Sequence, residues 1–297
     1  MMKKYIVLII MLALKYNSVL SQNSLIYTYE MGDMEIILLS ELQSDGKTEI
    51  LIGATADMLE QYIPDGIFPN AVNTFLIKTL KNTILIDTGF GHKLFDNLEL
   101  LKINPDEINI LLITHMHGDH ITGMIKDGKA AFPNAKVYIA SQEYNYWMND
   151  ELMNNLPEGR RKSFNLPREV IEIYKGRIHI FEPNEPGVGF SELLPGIQAV
   201  KAYGHTPGHT MYLIESYNNE KFLVWGDLTH AITIQMAYPH ISVTYDTDPK
   251  QAAESRKKIL EYVVKHNIPV AGMHIAYPGM GRIKSIDTGG YIFIPFE

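Results

Sequence analysis

No cysteine occurs among the 297 residues, so the chain has no thiol for a disulfide or for lipid attachment, and oxidation leaves it indifferent. Positive charge is also in short supply: 26 Lys and Arg against 34 Asp and Glu give a formal net charge of −8. Phosphate backbones are bound by clustered Lys and Arg, so this balance argues against a nucleic-acid partner. The short patch Arg160-Arg161-Lys162 reads as solvated loop. Internal repeats, low-complexity tracts and Pro/Ser-rich linkers are missing too, and nothing else in the sequence divides residues 22–297, which read as a single domain of ordinary globular composition. Long apolar runs are absent as well. The run Tyr5 to Leu14 falls short of the about 20 residues a spanning helix needs, so no stable membrane insertion is expected. With Lys3 and Lys4 before it and Ser18-Val19-Leu20-Ser21-Gln22 after it, residues 1–21 read as a secretory signal peptide cleaved before Gln22. The expected destination is the periplasm or the medium. Lys15 interrupts the pattern and leaves an uncleaved anchor as the alternative.

What the chain does have is histidine in one place. His115-Met116-His117-Gly118-Asp119-His120 follows the apolar run Ile108 to Thr114. A strand that ends and breaks into a short loop aims alternate side chains, His115 and His117, at one cation, while Asp119 and His120 face a second. Neutral imidazole suits zinc and other first-row divalent metals, and the carboxylate adds charge compensation and a proton acceptor. Further candidates lie far along the sequence, each just past a strand-like run: His209 in Gly204-His205-Thr206-Pro207-Gly208-His209, Asp227 after Phe222 to Gly226, and His274 after Val270 to Met273. The carboxyl ends of strands in layered α/β proteins are where such distant residues meet. Pro207 and Gly208 keep His205 and His209 off a common helix face, so His209 alone is assigned to metal.

Strand-like segments fall at Met34 to Ser40, Asn73 to Thr79, Thr83 to Asp87, Ile110 to Thr114, Lys136 to Ala140, Ile197 to Lys201, Met211 to Ser216 and Lys221 to Gly226. Ser141 predicts a helix through about Leu152. Asp248-Pro249-Lys250-Gln251 is a stronger start, with a capping Asp and Pro at the first helical position, and Ala252, Ile259, Leu260 and Val263 supply one buried face.

The His-x-His-x-Asp-His loop, the Gly-His-Thr-x-Gly-His segment, the Gly226-Asp227 pair and the late His274 resemble the metallo-β-lactamase superfamily in order and spacing, over roughly residues 70 to 280. The resemblance implies an α/β fold, an αβ/βα sandwich of two mixed sheets flanked by helices. It also implies two divalent metal ions per chain, zinc above all, one held by His115, His117 and His209, the other by Asp119, His120 and His274, with Asp227 bridging. Manganese, cobalt and iron accept the same donors, so the metal's identity is not readable. Asp87, in Thr83-Ile84-Leu85-Ile86-Asp87-Thr88-Gly89, resembles a family Asp that orients a ligand from beneath the metal loop; a plain turn-starting Asp is the alternative.

Hydrolysis by a metal-bridging hydroxide, with Asp119 shuttling the proton, is the chemistry the resemblance implies. With no cysteine, the β-lactamases that use a thiolate ligand are ruled out. Trp225 to His230, Thr244 to Pro249, Ala271 to Gly281 and Gly290 to Pro295 narrow the resemblance to the methyl parathion hydrolase-like group, which includes N-acyl homoserine lactonases. A lactone or ester is therefore the expected small-molecule substrate, homoserine lactones ahead of phosphotriesters; a non-catalytic exported metal binder is the reading of another class, and a homodimer is left open. Apolar Ile67, Phe68, Phe90, Trp147, Met148 and Ile275 are candidate pocket residues because they adjoin motif loops, with plain core as the alternative for each. His230 occupies a position where several homoserine lactonases carry a substrate-contacting Tyr, and is expected to donate to the substrate oxyanion rather than to ligate metal, with a histidine hydrogen-bonded in the loop after the strand as the alternative.

Overall fold

All four residues of Ile36-Ile37-Leu38-Leu39 are buried, as a strand covered on both faces requires. Successive side chains leave a strand in opposite directions, and this one serves two cores. Ile36 and Leu38 join Phe75, Ile84 and Leu112 against Tyr212, Phe222 and Val224. Ile37 and Leu39 join Leu85, Leu111 and Val137 against Leu94, Phe164 and Val170 of the covering helices. Each such side chain contributes about 1.5–3 kcal/mol by leaving water.

The computed structural model describes residues 25–187, 192–287 and 289–297; the export signal expected over residues 1–21 lies outside them. The first sheet runs in the order Leu25–Met31, Met34–Lys47, Ile67–Lys78, Thr83–Ile86, Ile110–Leu112, Lys136–Ala140, Ile178–Phe181. Its pairs are antiparallel as far as Thr83–Ile86 and parallel beyond it. The second sheet runs Ile197–Lys201, Thr210–Glu215, Lys221–Val224, Val270–Ala271, Met280–Ser285, Tyr291–Pro295, with one parallel pair, Lys221–Val224 beside Val270–Ala271. Helix Pro249–His266 covers its outer face through Ile259, Leu260 and Val263. Two mixed sheets face to face with helices outside make the expected αβ/βα sandwich. No helix among the described residues is long and apolar enough to cross a membrane.

The long C-terminal helix begins as its sequence predicts: Asp248 accepts from the Gln251 amide at 3.0 Å and Pro249 is the first helical residue. The helix expected from Ser141 to about Leu152 is corrected. It ends at Trp147, and Asn149 caps a separate helix, Asp150–Asn155, by accepting from the Leu152 amide. Ser141 does not cap; its hydroxyl donates to Glu182.

The parallel pairs matter most for function, because they bring carboxyl ends of different strands to one edge. Asp87 and Thr114 follow Thr83–Ile86 and Ile110–Leu112, while Asp227 and His274 follow Lys221–Val224 and Val270–Ala271. Asn73 stitches the two sheets at this edge, its side-chain amide donating to the carbonyls of Gly272 and Ile275 at 3.2 and 2.7 Å.

Candidate metal centre

The histidine loop is fixed from below. Asp87, held at φ 55°, accepts from the Thr114 amide at 2.8 Å and from the Thr114 hydroxyl at 2.6 Å. Its Oδ2 also lies 2.7 Å from His120 Nδ1. Donation from Nδ1 turns the His120 Nε2 lone pair inward, which is the supporting position expected for Asp87. The same arrangement recurs around the cluster. His115 Nδ1 meets the Thr114 hydroxyl at 3.1 Å, His205 Nδ1 meets Asp246 at 2.9 Å, and His274 Nδ1 meets the Ala71 carbonyl at 2.8 Å. Each ring thereby presents Nε2 to the centre.

Three groups of ligand atoms converge, each within 4.8 Å: His115, His117, His205 and Asp227; Asp119, His120 and His274; and Asp227, His230 and His274. Asp227 belongs to the first and third and touches the second through His120 and His274. Its Oδ2 is 3.0 Å from His274 Nε2 and 3.2 Å from both His205 and His230 Nε2; its Oδ1 is 3.2 Å from His120 Nε2. Gly226 allows this turn: it adopts φ 60°, and a Cβ there would strike the His209 ring.

Six of the seven expected ligands are therefore brought together, and the seventh is corrected. His209 cannot present a lone pair to a cation, because Nδ1 bonds the Ala202 carbonyl and Nε2 accepts from the Asp227 amide, both at 3.0 Å. His205 takes its place. The loop turns at Pro207-Gly208, so the two imidazoles do not need a common helix face to lie near each other; their ring centres are 5.7 Å apart. The Asp246 partner that orients His205 is 41 positions away and gave the sequence no local signal. His205→Ala is expected to lower the content of bound metal. His209→Ala should keep the wild-type metal content and lose stability, about 1–3 kcal/mol for each buried polar group left unpaired. Elemental analysis beside urea denaturation separates the two, and the reverse pattern would restore His209 as the ligand.

Charge in the cluster fits a cation. Burial would raise the Asp227 pKa, but the imidazoles around it, His120 first, hold it well below the carboxylate range. Burial and the neighbouring His205 push His117 down to about 3, and burial with His274 pushes His230 down to about 4. At His205 burial opposes the charged ring, yet hydrogen bonds to Asp227 and Asp246 lift it to about 9. His120 Nε2 and Asp227 Oδ1, both buried, face each other at 3.2 Å without hydrogen-bond geometry. Orphaned lone pairs of this kind, in an all-imidazole and carboxylate donor set, suit divalent zinc or a similar ion.

Above the cluster lies a cavity of about 590 Å³. Phe90 and Trp147 line it as expected, together with Asp119, His117 and His230. Phe68, Met148 and Ile275 do not. Phe68 packs with Ile63, Ile234 and Ile241, Ile275 belongs to the core beneath the second sheet, and Met148 packs against the core of the first. Ile67 is exposed and is not among the lining residues. Adjacency to a motif loop did not fix the direction of these side chains. Leu42, Val72, Tyr146, Arg160 and Tyr245 complete the wall instead.

The family model of the metallo-β-lactamase superfamily matches residues 67–266. The chain belongs to that superfamily. AidC, a dizinc quorum-quenching lactonase solved with the product N-hexanoyl-L-homoserine, superposes with TM-score 0.83 at 25% identity, over 92% of this chain and 98% of AidC. An N-acyl homoserine lactonase of Bacillus thuringiensis is 23% identical over 228 residues, 66% of this chain and 77% of its own length. The lactamase-like protein nscB of Neosartorya fischeri is 28% identical over 157 residues, 52% of this chain; the match spans 38% of that protein's length. The chain is thus a metallo-β-lactamase-superfamily protein similar in sequence and fold to N-acyl homoserine lactonases.

Proposed function

We propose that this protein opens the ring of N-acyl homoserine lactones, using two divalent ions, zinc foremost. His115, His117, His205 and Asp227 would hold one, and Asp119, His120, His274 and Asp227 the other. The observation that carries the reading is Asp227, one carboxylate with atoms in reach of both groups, on the floor of a cavity of about 590 Å³.

Bound there, the ion pair supplies Lewis acidity toward a carbonyl and a water acidified to near neutrality. The chain's own residues do the rest. Asp119, at the cavity edge and 3.4 Å from His274 Nε2, accepts a proton on its carboxylate and returns it to the departing ring oxygen. Phe90, Val72 and Trp147 cover the apolar part of the wall and receive the acyl chain. His230 donates a ring N–H to the oxyanion; burial and His274 keep its ring neutral. The homoserine product bound by AidC supports the substrate class.

His230→Ala should retain both metals and lose roughly tenfold or more in kcat/KM, the scale of one transition-state hydrogen bond. Unchanged kinetics would remove His230 from the reaction. Loss of an ion would make it a ligand, a role its grouping with Asp227 and His274 permits. The reading as a whole is tested by turnover of homoserine lactones of several chain lengths, a paraoxon-type phosphotriester, a β-lactam and a thioester, with activity lost in chelator and restored by zinc. Phosphotriester turnover without lactone turnover would overturn the substrate, and two firmly bound ions with no turnover at all would overturn the enzyme.

A further inference from the structure

Glu143 is a buried carboxylate outside every ligand group, yet two ligand-bearing loops hang from it. It is the third residue of helix Ser141–Trp147 and is 1% exposed. Its Oε1 accepts from the Met116 amide at 2.8 Å and from the Trp147 indole N–H at 2.6 Å. Its Oε2 accepts from the Thr206 hydroxyl at 2.6 Å and from the Gly208 amide at 3.1 Å. Met116 lies between His115 and His117, and Thr206 follows His205. Gly208 passes so close to the helix that a Cβ would collide with the Glu143 backbone. The Trp147 ring stands edge-on to His117, with centres 5.9 Å apart at 80°, and forms part of the cavity wall.

We propose that Glu143 is a positioning residue that assembles the first cation site, setting the approach of His117 to His205 and fastening the Trp147 wall of the substrate cavity to them. The proposal rests on the reading that the two groups bind metal. Its selectivity follows from the anchors. The second group is held by other means, His120 by Asp87 and His274 by the Ala71 carbonyl. All four Glu143 partners can donate, so a carboxylate satisfies them together. A glutamine of the same size has one acceptor oxygen and turns an NH2 group toward donors. Charge-assisted hydrogen bonds to a buried acceptor are among the stronger kind, and loss of an outer partner of a ligand typically weakens metal binding about 10–100-fold.

The experiment is titration of the metal-free full chain with Co²⁺ and Zn²⁺, followed by calorimetry, Co²⁺ absorbance and Trp147 fluorescence in a Trp225→Phe background. Wild type should bind two ions. In Glu143→Gln one binding step should weaken about 10–100-fold while the other stays within about threefold, and the Trp147 response to metal should shrink. Excess zinc should then restore most of kcat, since Glu143 touches no substrate. Two unchanged binding steps in Glu143→Gln overturn the inference, and so does equal weakening of both. Wild type that binds no metal overturns the underlying reading instead. Should Glu143→Gln not fold, Thr206→Val removes a single donor: a selective weakening of the same step supports the inference, and an unchanged titration refutes it.

Discussion

In the proposed two-ion lactonase centre, Asp227→Ala is expected to remove both metal ions and to lower lactone turnover by at least about a thousandfold, the rate equivalent of the several kcal/mol a Lewis acid contributes. The size of the effect comes from sharing. The Nε2 atoms of His205, His230 and His274 lie 3.0–3.2 Å from Asp227 Oδ2, and His120 Nε2 lies 3.2 Å from Oδ1. Removing the carboxylate leaves one group as three imidazoles with no counter-charge and the other with Asp119 alone. It also leaves a buried set of like groups facing one another in the metal-free state. Asp227→Asn keeps the volume and one acceptor oxygen but not the charge, so it should fall between. Metal content by elemental analysis and kcat/KM at fixed zinc check the prediction, with circular dichroism confirming the fold. Two retained equivalents with wild-type turnover would show that Asp227 does not serve both ions.

How far the sequence carried the fold depends on how local the determining physics is. The helix Pro249–His266 was legible because its start is written in adjacent residues, Asp248 and Pro249. The central strands were legible because burial on both faces demands unbroken apolar runs such as Ile36 to Leu39. Leu25–Met31 was not, since an edge strand that alternates Tyr27, Thr28 and Glu30 carries no such run. The site divides the same way. His115, His117, Asp119 and His120 share one six-residue segment, the loop after Ile110–Leu112 and the start of helix Gly118–Ile121, and Asp87 lies at the end of the neighbouring parallel strand. Between His205 and His209 the sequence could not choose. The choice is made by Asp246, the Ala202 carbonyl and the Asp227 amide, contacts that exist only after folding. Cavity walls suffered most, because Phe68 and Ile275 adjoin motif loops in sequence yet turn into the core.

Asp119→Asn should depress kcat far more than it weakens metal, by about 10²–10⁴-fold, the usual worth of a positioned proton acceptor. Three features of the residue support the difference from Asp227. Its side chain is 25% exposed against 2% for Asp227, so its surroundings impose less on it. It belongs to one ligand group, not two, and His120 and His274 remain there with the shared Asp227 at hand. Burial would raise its pKa, but His120 and His274 hold it below the ordinary Asp value, so the carboxylate starts the reaction unprotonated. Asparagine keeps an oxygen donor of nearly the same size while removing the basic site. The separation is read by measuring kcat at saturating zinc alongside the affinity for the second ion. A weaker leaving group suffers more when the proton donor is missing, so thiolactones, whose departing thiolate needs no proton, should lose less than the corresponding lactones. Equal losses on both substrates, with metal retained, would show that Asp119 does not protonate the leaving group. Full loss of the second ion would give ligation as its dominant role.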